Sequence, residues 1–138
     1  MIIDEFKRTY LALNKDNLDL LDTLYCDNTT FIDPFNQVES LTNLKKYFSE
    51  LYENVQSISF DFIDESSNTN DHYITWKMRL AHPKLNSGSE FIVDGATHLK
   101  SDESNKISYH RDYFDGASMI YERVPVIGKI IKLIKSRL

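Results

Sequence analysis

The apolar positions change period twice along the chain. Up to about residue 54 they recur at helical spacing, and beyond it they alternate. Ile3, Phe6, Tyr10, Leu11 and Leu13, with polar residues between them, predict an amphipathic helix over roughly residues 2–14. Asn14-Lys15-Asp16-Asn17 interrupts it, and Asp16 or Asn17 can cap a second helix from Leu18 to Tyr25. Cys26-Asp27-Asn28 ends that helix. Thr29 to Asp33 predicts a short strand, stopped by Pro34, which has no N–H to give a ladder. Ser40 stands where it can cap a third helix. The stripe of that helix, Leu41, Leu44, Tyr47, Phe48, Leu51 and Tyr52, runs out near Asn54.

Residues 56–65 then alternate, and Ser66 to Asp71 is a turn cluster. Tyr73 to Leu80 gives the clearest strand, with Ile74, Trp76, Met78 and Leu80 on one face and Thr75, Lys77 and Arg79 on the other. His82 to Gly88 is a loop, Glu90 to Lys100 another strand, and Ser101 to Asn105 a turn into a last strand within Lys106 to Gly116. Three helices followed by four strands on hairpin-length turns predict an α+β fold with an antiparallel sheet. On the last strand Ser108, His110, Asp112 and Phe114 share one face, while Ile107, Tyr109, Arg111 and Tyr113 share the other. Neither face is plainly apolar. His, Asp and Phe on one side either line a mostly apolar pocket with a few polar groups or turn to solvent.

From Ile127 a helical pattern returns. Ile127, Ile130, Ile131, Ile134 and Leu138 take one face, and Lys129, Lys132, Lys135 and Arg137 take the other. A basic amphipathic helix can lie on an anionic membrane or dock on protein. Packing on the body or on a second subunit is the plainer expectation, because the helix is short and has no aromatic anchor. Residues 1–115 are thus expected to form one domain and 116–138 a basic helical extension.

Length and composition fit this picture: 138 residues, 41% apolar, suffice for one core. Residues 116–138 carry Arg123, Lys129, Lys132, Lys135 and Arg137 against Glu122, a balance of +4. With −5 on the whole chain, the remainder is −9, which argues against nucleic acid as a partner. No apolar run is long enough to span a membrane, and the first residues lack the pattern of a secretory signal. A single cysteine, Cys26, suits a reducing, cytoplasmic compartment. His72, His82, His98 and His110 show no paired spacing, so neither a metal nor another cofactor is expected.

The element order, with Phe31-Ile32-Asp33-Pro34 closing the first strand and Tyr47-Phe48 near the end of the third helix, resembles the nuclear transport factor 2-like superfamily. That group includes the SnoaL-like proteins and the ketosteroid isomerases, and the resemblance spans residues 2–115. It implies a strongly curved mixed or antiparallel sheet wrapped round a long helix, forming a cone with a cavity, and a homodimer. The glycine often found after the Asp-Pro is absent; Glu39 or Ser40 stands near its place. Tyr10 in FKRTYLAL and Asp33 in FIDP match the tyrosine donor and catalytic aspartate of the isomerases. Thr97 falls where those enzymes carry a second, protonated aspartate, and its hydroxyl is a weaker donor. Asp112 and His110 fall on cavity-facing positions that are apolar in the isomerases.

Asp33, beside Pro34 and between Phe31 and Phe35, is expected to be partly desolvated, which raises a carboxylate's pKa above about 4 and strengthens it as a base. It could then take a proton alpha to a carbonyl while Tyr10 or Thr97 holds the enolate oxygen. His110 and Asp112 would relay the proton or bind a polar end of the ligand. Phe35, Trp76, Met78, Thr97 and Phe114 are the expected ligand-binding residues. The plain alternatives are that Asp33 is a turn former bonding nearby amides and that Tyr10 is core. Two functions follow. One is a SnoaL-like small-molecule-binding protein, acting as a cofactor-independent isomerase, cyclase or hydratase on an apolar carbonyl-bearing ligand. The other is a non-catalytic ligand-binding, dimerisation or scaffold module whose basic tail docks a partner or a membrane.

Overall fold

The computed structural model describes residues 1–119 and 125–138. Residues 120–124, with Glu122 and Arg123 of the tail's charge balance, lie outside the described residues. Helix α1 (Ile2–Ala12) buries Ile2, Ile3, Phe6 and Tyr10, and Asp4 and Glu5 in its first turn complement the helix dipole. A 3₁₀ turn (Leu18–Leu20) and one turn of α2 (Leu21–Leu24) follow. The second helix is therefore shorter than the sequence pattern predicts. Tyr25 opens strand β1 (Tyr25–Ile32), because its backbone pairs with Ile107 across the sheet. Cys26-Asp27-Asn28 lies within β1, where long-range pairing overrides local turn preference.

A three-residue strand β2 (Gln37–Glu39), which the sequence pattern does not announce, returns antiparallel along β1. Ser40 then caps α3 (Leu41–Asn54): its Oγ accepts the Asn43 amide at 3.2 Å. The helix stops at Val55, whose backbone is extended. Leu41, Leu44 and Phe48 are its buried stripe, and the rings of Phe48 and Phe31 meet at 5.4 Å, edge to face.

The alternating half forms β3 (Ser57–Asn68), β4 (Asp71–Ala81), β5 (Phe91–Ser101) and β6 (Ile107–Phe114), an antiparallel meander. β1 joins β6 in parallel, so one mixed, open sheet runs β2-β1-β6-β5-β4-β3. Register shifts between Tyr25 and Thr30 and between Phe62 and Glu65 mark irregularities of the kind that bend strands. On β4 Ile74, Trp76, Met78 and Leu80 are buried, as the alternation predicts, and so are His72 and Ala81 at its ends. After β6 come one turn of α4 (Gly116–Met119) and α5 (Pro125–Ser136). Helices on a mixed sheet are the α+β architecture expected from the resemblance, and α5 is the helix that the period from Ile127 predicts. Among the described residues no helix is long and apolar enough to cross a membrane.

One close approach fixes a position in the sheet. Gly95 is the cross-strand partner of Trp76, and a Cβ on Gly95 would overlap the indole ring. That ring is buried and its Nε1 donates to Thr97 Oγ1 at 2.8 Å, so it cannot swing away freely. Gly95→Ala is expected to destabilise the fold by about 1–3 kcal/mol through overpacking. Urea unfolding followed by the emission of the single tryptophan measures it; an unchanged midpoint would contradict the packing described.

Candidate functional site: an apolar pocket floored by a polar relay

A pocket of about 290 Å³ opens between α3 and the sheet. Its apolar wall includes Phe31, Phe48, Phe60, Trp76, Met78 and Phe114. Its polar groups are few: the phenols of Tyr10, Tyr47 and Tyr52, the amide of Asn36, and the carboxylates of Asp33 and Asp112. A larger, open depression of about 650 Å³ lies between α1 and β3, but charged side chains line it and the Lys7–Glu65 ion pair lies within it.

Asp112 is held from below. Its Oδ1 lies 2.7 Å from His110 Nε2 and accepts the Thr97 hydroxyl at 2.6 Å. Thr97 is the direct cross-strand partner of Asp112, and His110 stands two residues away on the same face of β6. Thr97 in turn accepts from the Trp76 indole. His110, 1% exposed, is enclosed by rings, with Phe31 at 4.7 Å and Phe6 at 5.6 Å. Its Nδ1 lies 2.7 Å from Tyr25 Oη, and Tyr25 Oη lies 2.6 Å from Tyr10 Oη.

The protons along this row follow from its end. An ionised Asp112 can only accept, so His110 Nε2 donates to it. The other nitrogen of a neutral imidazole then accepts from Tyr25, and Tyr25 accepts from Tyr10. With Asp112 ionised and His110 neutral, the row is one directed chain, Tyr10 to Tyr25 to His110 to Asp112. Asp112 has a side chain 19% exposed, and its Oδ2 has no hydrogen-bond partner among the described residues. Asp112, with one oxygen fixed and the other without a partner among the described residues, is one of the residues lining the apolar pocket.

Asp33 is held differently. Its Oδ1 accepts the amides of Phe35 at 2.9 Å and Asn36 at 2.8 Å, which is the turn-forming role, and its Oδ2 accepts the Tyr47 hydroxyl. It lines the same pocket as Asp112. The turn-forming role is thus present in the structure, and the residue also lines the pocket. Among the described residues, no group of three His, Cys, Asp or Glu side chains gathers to hold a metal.

This geometry sits in a fold with many solved relatives. A protein described as a SnoaL-like polyketide cyclase from Jannaschia sp. CCS1 superposes with a TM-score of 0.78 at 11% identity, over 91% of this chain and 92% of that one. A protein of ketosteroid isomerase-like fold from Catenulispora acidiphila, solved with trimethylamine, gives 0.74 at 13% identity, over 90% and 92%. An NTF2-like protein of unknown function from Exiguobacterium sp. 255-15 gives 0.69 at 18%, over 84% and 99%. No curated protein sequence matches the chain. The family model of the SnoaL-like domain matches residues 6–110. This chain belongs to the SnoaL-like domain family.

Within this SnoaL-like domain the pocket brings together Tyr10, Asp33, Phe35, Trp76, Met78, Asp112 and Phe114 of the residues singled out from sequence. His110 and Thr97 are not on the wall; they stand behind Asp112, both buried. The hydroxyls of Tyr10 and Thr97, expected to hold an enolate oxygen, are engaged with Tyr25 and Asp112 instead. Sequence reasoning missed Tyr25, which joins the two halves of the relay, because it stands at the end of a helical pattern and its side chain is placed by β1. It also missed Tyr47 and Tyr52 as pocket phenols. Both stood within the apolar stripe read on α3, and the sequence carries no signal that separates pocket wall from core there.

The phenols carry a measurable signature. Burial, reinforced by the neighbouring Tyr25 and Asp112, pushes Tyr10 well above its ordinary value, and burial does the same to Tyr25. Tyr47 is raised by burial and then by the Asp33 carboxylate, and burial raises Tyr52 to about 12. A folded state that keeps phenol protons which the unfolded chain releases near pH 10 loses stability as pH rises above about 10. Ultraviolet titration of the eight tyrosines should therefore show these four lagging behind the ordinary group, with the lag abolished in denaturant. Ionisation of all tyrosines together near pH 10 in the folded protein would contradict the burial described.

Proposed function

We propose that this SnoaL-like domain binds an apolar, carbonyl-bearing small molecule and moves a proton on it without a cofactor, as an isomerase, cyclase or hydratase does. The observation that supports the reading is Asp112: one oxygen is anchored by His110 and Thr97, the other has no hydrogen-bond partner among the described residues, and the residue lines an apolar pocket. Asp112 is the base in this proposal. Withdrawal of a proton alpha to a carbonyl puts negative charge on the carbonyl oxygen, which needs a donor. Tyr52 suits that role: it lines the pocket, has no hydrogen-bond partner among the described residues, and stays protonated at neutral pH. Asp33 with Tyr47 is the second acid–base pair of the site, placed to serve the return of the proton. Phe35, Trp76, Met78 and Phe114 hold the apolar body of the ligand.

The name of the Jannaschia relative, a polyketide cyclase, points the same way, and the Catenulispora relative of ketosteroid isomerase-like fold holds a small molecule, trimethylamine. A homodimer belongs to the proposal too. Tyr73, Ile92 and Tyr113 leave exposed apolar surface on the strands away from the pocket. The lone Cys26 keeps the cytoplasmic placement in the proposal.

Proton abstraction is detectable before the full reaction is known. Incubating the protein in D₂O with steroid ketones and aromatic polyketide fragments should accelerate loss of the alpha-proton NMR signal for the ligand class that fits. Asp112→Asn is expected to slow that exchange by about 10²–10⁴-fold, the usual worth of a positioned base. His110→Gln should weaken it less, and Asp33→Asn should leave the first abstraction largely intact. Exchange at the native rate in Asp112→Asn, with the fold intact by circular dichroism, would refute Asp112 as the base.

A further inference from the structure

Helix α5 leaves its apolar side uncovered. Ile127 (48% exposed), Ile130 (53%), Leu133 (53%) and Ile134 (54%) stand in solvent together with Val126. At 100° per residue they fall on one arc of the helix, and Lys129, Lys132 and Lys135 fall on the other. The helix touches the rest of the chain at the boundary between these arcs. Lys135 Nζ donates to Asp115 Oδ2 at 3.1 Å, Gly128 is buried, and Ile131 is half-buried. From Pro125 to the last residue there are four basic side chains and no acidic one.

We propose that α5 docks the protein on an anionic phospholipid bilayer, lying in the interface with its aliphatic arc among the acyl chains. Charge decides between the candidate occupants. Joining the apolar arcs of two α5 helices would bring together two basic segments, neither of which carries a carboxylate side chain. The outer face of the sheet in a second copy offers the apolar surface of Tyr73, Ile92 and Tyr113, but two of its carboxylates are already paired, Asp94 with Lys77 and Asp61 with Arg79. An anionic headgroup layer offers what both lack, continuous negative charge above an apolar bed. The acidic body does not cancel this attraction, because charges beyond about 8 Å are screened at physiological salt. With no aromatic anchor, α5 gives reversible, salt-sensitive binding.

The placement has a consequence for the pocket. Met119, the last described residue before the 120–124 connection, lines it, and Gly116 packs against the Phe35 ring. A docked α5 holds the pocket within a five-residue connection of the lipid surface. That suits an apolar ligand drawn from the bilayer, although docking itself does not rest on the ligand reading.

The test is flotation of the full chain with vesicles of phosphatidylcholine alone or mixed with phosphatidylglycerol, at low and high salt. The chain should float with the mixed vesicles at least about tenfold more than with neutral ones, and high salt should release it. Lys129→Glu with Lys132→Glu, and separately Ile130→Asp with Ile134→Asp, should each cut flotation by at least about tenfold. All four side chains are exposed, so both variants should keep the native unfolding midpoint. No flotation, equal flotation on neutral vesicles, or flotation untouched by either variant overturns the proposal. So does a native oligomer that Ile130→Asp with Ile134→Asp dissolves while vesicle binding is absent.

Discussion

One carboxylate oxygen, Oδ1 of Asp112, receives both the His110 imidazole and the Thr97 hydroxyl, and much of the site follows from that convergence. A buried imidazole needs partners at both nitrogens, since each unpaired buried polar group costs about 1–3 kcal/mol. Here Tyr25 and Asp112 supply them, and Tyr10 completes the row at the far end. The row crosses the core from α1 to the pocket wall. It ties a helix residue, a β1 residue and two β6 residues into one hydrogen-bonded unit. The aromatic enclosure by Phe6 and Phe31 keeps that unit dry, so its hydrogen bonds are stronger than they would be in water.

The unit stands only in one register of the sheet. Thr97 meets Asp112, and Leu99 meets His110, because β5 and β6 pair as they do; a slip of one residue would turn His110 and Asp112 to the opposite face. The parallel pairing of Phe31 with His110 sets the other side. Gly95, where a side chain would strike Trp76, holds the indole in place to support Thr97. Fold and site are thus the same construction, seen from the ladder or from the side chains.

The change of period near residue 54 made the α+β order readable, and strict alternation on β4 placed Trp76 and Met78 on the inner face. His110 and Asp112 could be put on one face by counting in twos. Their depth could not, because burial depends on which strands flank β6, and the β1 neighbour is joined in parallel over a long sequence gap. Tyr25 was hidden for the same reason: its local context is a helix end, and its role comes from pairing with Ile107. Asp33 was legible as a residue of consequence beside Pro34, but the Tyr47 partner comes from α3 and has no local signal. The short β2 carries too few residues to show a period. For the tail, the sequence showed two faces of different chemistry, and only the fold shows that the apolar one is left uncovered.

The account rests on Asp112 meeting a ligand in the pocket, and a crystal structure with a bound ketone tests this most directly. It should show the ligand between Phe31, Trp76 and Phe114, with its alpha carbon within about 3.5 Å of Asp112 Oδ2, the spacing of a near-attack arrangement. Density for the ligand on the outer sheet face, or in the pocket with Asp112 turned away from it, would contradict the account.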